Sequence, residues 1–147
     1  MKTQKNFLVL ASITFLMLIA SCSRKELVSN ISPGDVTSTM LAGTWRISQL
    51  TENGDNDANL FAGYSFNFKP SGIVTATRDD DVHNGTWMVD FDNDANEAVM
   101  IIGMGNAGSF SRLTGDWEVT RVSKTALELV DRNTTGNDMA RLTFVKE

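Results

Sequence analysis

Tyr64-Ser65-Phe66-Asn67-Phe68-Lys69-Pro70-Ser71-Gly72-Ile73-Val74-Thr75-Ala76-Thr77-Arg78 is the stretch that decides the fold. Its first half places an aromatic ring at every second position with small polar side chains between, the period of a strand with one buried face. Lys69-Pro70-Ser71-Gly72 interrupts the pattern, which then resumes, so the segment reads as two strands joined by a tight reversal. The same signature recurs in Gly85-Thr86-Trp87-Met88-Val89-Asp90-Phe91 and in Gly115-Asp116-Trp117-Glu118-Val119. Extending the pattern along the chain gives strands over 43–50, 61–69, 72–78, 85–91, 97–103, 115–122, 125–131 and 139–146, with no long amphipathic helix among them. The links after the second, fourth and sixth strands are short and the others long. Alternate links of a meander fall at opposite ends, so the expected fold is all-β: an eight-stranded antiparallel up-and-down barrel with one tight and one loopy end. Closure removes the exposed edges.

Gly43-Thr44-Trp45 at the head of the first strand resembles the G-x-W signature of lipocalins. Phe66-x-Phe68-x-Pro70-x-Gly72 followed by Gly85-Thr86-Trp87 is similar to the lipocalin-like domains of Bacteroidota lipoproteins. The resemblance spans about 41–146 and implies a barrel whose interior can hold a small apolar ligand. The C-terminal helix and disulfide of secreted animal lipocalins have no counterpart here.

Upstream, Lys2 and Lys5 precede the apolar run 7–20, the layout of a secretory signal. As a helix the run would be about 21 Å long, too short for a bilayer core of about 30 Å. Ile19-Ala20-Ser21-Cys22 resembles the lipobox, which implies cleavage before Cys22, the chain's one cysteine, and attachment of lipid (palmitate among its acyl chains) to its sulfur. Residues 1–21 are therefore read as a lipoprotein signal peptide, 22–40 as a flexible lipidated tether punctuated by Ser32-Pro33-Gly34, and 41–147 as the barrel domain. The expected location is the cell envelope, lipid-anchored, with the outer membrane favoured over other sites. Without Lys2 and Lys5 the formal charge falls from −5 to −7, which argues against nucleic-acid partners.

Three motifs tempt a more specific reading. Gly103-Met104-Gly105-Asn106-Ala107-Gly108 matches a dinucleotide fingerprint, but strand pattern restarts at Gly115, leaving no room for a crossover helix. Asp-Asn-Asp-Ala-Asn occurs at 55–59 and 92–96 without the glycine and glutamate of a calcium loop, and turn chemistry explains both copies. Asp79-Asp80-Asp81 with His83 lacks the second imidazole or thiol of a zinc site and reads as a charged loop. No nucleophile, base and orienting group occur together, so no enzyme, cofactor or metal is expected.

Two functional classes follow. In one the barrel takes a small apolar or amphipathic ligand or peptide at its membrane-distal, loopy mouth, lined by Tyr64, Trp87, Met104, Phe110 and Trp117 and rimmed by Glu52, Asp55, Asp57, Asp79, Asp80 and Asp81. Trp45 then closes the tight end, where the tether enters. In the other the barrel is filled by its own side chains and serves as an accessory module that docks on an envelope protein.

Overall fold

A computed structural model describes residues 30–52, 54–133 and 139–147. The signal segment and Cys22 lie outside the described residues. The strands are β1 (Thr44–Glu52), β2 (Asp55–Asn56), β3 (Ser65–Phe68), β4 (Ile73–Arg78), β5 (Asp81–Asp92), β6 (Glu97–Gly103), β7 (Gly115–Val122), β8 (Ala126–Asp131) and β9 (Arg141–Lys146). All neighbours pair antiparallel in the order β2-β1-β3-β4-β5-β6-β7-β8-β9, and β9 returns to β1. Setting aside the two-residue β2, which only extends the end of β1, this is a closed eight-stranded barrel.

The registers explain where the sequence pattern slips. On β1 the buried positions are Trp45, Ile47 and then Leu50, because the pairing with β9 shifts between Ile47 and Gln49. One extra residue restores the inward face after a change of parity. A similar shift between Val119 and Arg121 turns Val122 back toward the core on β7.

Two expectations need correction. The tether does not extend to residue 40: Pro33–Leu41 forms a helix, α1, with Ser32 as its N-cap and Val36 and Met40 fully buried. Ser32 Oγ accepts from the Asp35 amide, and Pro33 fits a first-turn position that needs no donor. The supposed breaker is thus a helix start. α1 packs against β3, β5 and β7. Because β3 and β7 lie on opposite sides of an eight-stranded barrel, the helix bridges the tight end.

The second correction concerns the charged loop read over 79–84. Arg78 pairs with Asp81, so β4 and β5 are joined by the two-residue turn Asp79-Asp80, with Asp79 at φ +52°. Asp81 and His83 are strand residues. Asp tolerates this left-handed conformation better than most residues.

Among the described residues, the loopy end is covered by two 3-10 turns, Ala58–Phe61 and Gly108–Leu113, which bury Phe61, Phe110 and Leu113. Aromatic contacts then run down the axis. Phe110 lies 5.4 Å from Phe61, 5.2 Å from Tyr64 and 6.5 Å from Phe66. Phe66 and Phe68 meet Phe144 at 5.6 and 5.4 Å, and Phe68 meets Trp87 at 5.2 Å. Most of these pairs are edge-to-face, the geometry the ring quadrupole favours.

Candidate functional site

In each of the three Gly-x-Trp motifs an inward indole ties a connecting segment to the barrel. Trp45 Nε1 donates to Met40 O at 3.0 Å and so fastens α1. Trp87 Nε1 donates to Lys69 O at 3.0 Å in the β3–β4 turn. Trp117 Nε1 donates to Leu113 O at 3.1 Å and fastens the second 3-10 turn. A buried indole N–H needs such an acceptor, because leaving it unpaired would cost about 1–3 kcal/mol.

These bonds place the expected ligand residues. Tyr64, Met104, Phe110 and Trp117 do gather at the loopy end, but all four are buried within its cap. Trp87 does not join them: its bond to Lys69 and its contact with Phe68 draw it to the tight end, the end that Trp45 closes. The reason is the length of β5. Starting at Asp81 rather than Gly85, the strand carries Trp87 farther from the loopy end. Gly85 itself is required by close approach, since a Cβ there would lie 2.5 Å from both Gly103 O and Met104 Sδ.

Half of the expected acidic rim is paired, at the surface of the cap. Arg112, on the second 3-10 turn, bonds Asp57 and approaches Glu52 at 3.7 Å. Asp81 accepts the Tyr64 hydroxyl and meets His83 Nε2 at 3.0 Å. His83 also stacks on Phe110 at 4.1 Å, and the Arg78 guanidinium sits 4.2 Å over the Tyr64 ring. The hydrogen bond from Tyr64, assisted by His83 and Arg78, holds the Asp81 carboxyl below its ordinary value. The same bond, with burial, pushes the Tyr64 phenol upward. His83, read from the sequence as part of a solvated loop, is therefore a clamp on the cap. Period-two spacing from Asp81 through His83 to Gly85 is the signal that could have shown this, masked by the polar residue types.

The other motifs fall in connecting segments. The two Asp-Asn-Asp-Ala-Asn copies sit at opposite ends: Asn56 Oδ1 accepts from the Ala58 amide, whereas Asp92 Oδ1 accepts from the Asp94 and Ala95 amides of the β5–β6 turn. The glycine-rich segment after β6 has Gly105 and Gly108 at φ +84° and +63° and leads into the 3-10 turn, not into a nucleotide-binding helix. Asn30, the first described residue, accepts from Asn96 Nδ2 at 3.2 Å, so the chain approaches the barrel beside the β5–β6 turn.

No family model matches this chain, and no curated protein does. Among solved structures it is similar to a DUF4847 family protein from Bacteroides vulgatus ATCC 8482, at 14% identity and a TM-score of 0.49, over 76% of this chain and 97% of that one. A likeness at this level carries no functional argument. The barrel stands on the strand registers themselves.

Proposed function

We propose that the protein is a non-catalytic accessory module of the cell envelope, carried on the outer membrane by lipid on Cys22, which meets its partner with the outside of a filled barrel. The observation that carries this reading is the axial line of rings from Phe110 through Phe66, Phe144 and Phe68 to Trp87, stopped at one end by α1 and at the other by the 3-10 turns. A barrel of this size is either filled by side chains or holds one small molecule. The anchor rests on the lipobox resemblance. The approach of the described chain beside the β5–β6 turn supports a barrel whose tight end faces the membrane.

A competing reading has a small apolar or amphipathic ligand entering beneath the second 3-10 turn. Its support is that this turn lies between positive-φ glycines and the β7 start, held by Trp117, Arg112 and His83 side chains. Native mass spectrometry of the protein extracted from its own membranes separates the two. The accessory reading expects the lipidated mass with no further small molecule, and a stoichiometric apolar guest would replace it with the ligand reading. A Cys22→Ser precursor should take up no labelled palmitate; normal labelling would rule out the anchor.

A further inference from the structure

On the outside of the barrel, an apolar strip crosses three strands. Ile73 is 41% and Met88 52% exposed. Ile73 pairs with Thr86, two residues from Met88, and Met88 pairs with Ile101, so these side chains share the outer face of β4, β5 and β6. Beside Ile101 the strip drops into a shallow cleft of about 240 Å³ whose lining includes Asp90, Asp92, Val99, Ile101, Asp116 and Arg132. Val99 is only 4% exposed although it lies outside the barrel core.

The charges around this strip do not balance. Arg132 bonds Asp92 at 2.5 Å, and Glu97 and Glu118 also lie within its electrostatic reach. Asp90 and Asp116 complete a set of acids facing one guanidinium. Burial, reinforced by Glu97, raises the Glu118 carboxyl above its usual value against the pull of Arg132. Acidic charge is thus held beside the exposed Met88 and the half-buried Ile101. A second copy related by a two-fold axis would bring acid against acid, and an anionic lipid surface would be repelled. The cleft is also below the roughly 300 Å³ at which small-molecule pockets begin.

We infer that the outer face of β4, β5 and β6, with the cleft beside it, is a docking surface for a basic protein segment that alternates cationic and apolar side chains. The inference rests on the accessory-module reading and names the chemistry of its partner. Apolar side chains cover Ile73, Met88 and Ile101, while the neighbouring cations meet Asp90 and Asp116. The complementarity directs specificity and encounter rate as much as affinity, and it weakens with salt.

The test is an NMR titration of the full mature chain with an octapeptide of alternating lysine and leucine, alongside octalysine and a glutamate-leucine octapeptide. Shifts should concentrate at Ile73, Met88 and Ile101. The combined Asp90→Asn, Asp116→Asn variant should bind at least about tenfold more weakly, equivalent to about 1.4 kcal/mol. The control peptides should bind no better than that variant does. Equal binding of octalysine, unchanged affinity of the double variant, or shifts gathered at Glu52, Asp57 and Asp81 would overturn the inference. Binding seen only after Arg24 and Lys25 are changed to alanine would also overturn it, by assigning the face to the chain's own basic residues. A bound small molecule inside the barrel would contradict the filled-barrel reading without moving the peptide shifts, so the two failures are distinguishable.

Discussion

Tyr64 is the chain's one tyrosine, and its phenol reports directly on how the loopy end is held. Its hydroxyl donates to Asp81, the bond that pushes the phenol up and the carboxyl down. Spectrophotometric titration should place the Tyr64 midpoint above 10.0, and Asp81→Asn should bring it down. The linkage has opposite signs for the two partners. Stability contributed by Asp81 is present above its unfolded value and is lost as pH falls through the lower folded value; that from Tyr64 is lost as pH rises through its raised folded value. Glu118 behaves differently, since burial raises its carboxyl. Its ionised form opposes folding at neutral pH, so stability rises as pH falls through the folded value. Glu118→Gln should therefore raise the melting temperature at pH 7 slightly and leave it nearly unchanged at pH 3, as calorimetry can show. The aromatic identities of Tyr64, Phe66 and Phe68 were legible because alternation marks a buried face. The Tyr64–Asp81–His83 cluster was not, because polar side chains mask the period-two spacing of Asp81, His83 and Gly85 on β5, and Tyr64 meets Asp81 from the residue just before β3.

The elements that close the barrel are the ones sequence reasoning read least well. α1 begins with Ser32-Pro33, a combination that serves equally as a turn or a helix start, and its nine residues bury only Val36 and Met40. So short a helix shows little periodicity of its own and forms because it packs against β3, β5 and β7. Met40→Ala should cost about 2–5 kcal/mol in denaturant unfolding, the range for deleting a fully buried side chain. The second 3-10 turn was equally hidden: its Gly-Ser-Phe-Ser-Arg-Leu sequence looks like loop, yet Phe110 and Leu113 enter the core. Phe110→Ala should cost about 3–5 kcal/mol and open a dry void able to take a benzene-sized guest. Wild-type protein should take none, and comparable uptake by both would argue that the cap is already open. By contrast β6 and β7 match their expected bounds, because apolar runs and Gly-x-Trp mark both ends clearly.

For the molecule as a whole, the number of barrel strands was readable from strand pattern, whereas link length was a poorer guide: the link expected to be long between β4 and β5 is the two-residue turn Asp79-Asp80, and Trp87 shares an end with Trp45, against the expected polarity of the mouth. Trp45 and Trp117 lie at the expected ends; Trp87 crosses to the tight end because β5 starts earlier than its polar residues suggested. The result is a barrel stopped at both ends, with its rings in contact along the axis and its exposed apolar strip on the flank. On the accessory-module reading proposed above, such a barrel leaves no room inside for a ligand. A crystal structure of the chain without its first 21 residues, taken under xenon pressure, is the sharpest test of that. A filled barrel predicts no xenon along the line from Phe110 to Trp87; a xenon atom bound between Phe66, Phe144 and Leu129 would contradict it and return the barrel to the ligand carriers.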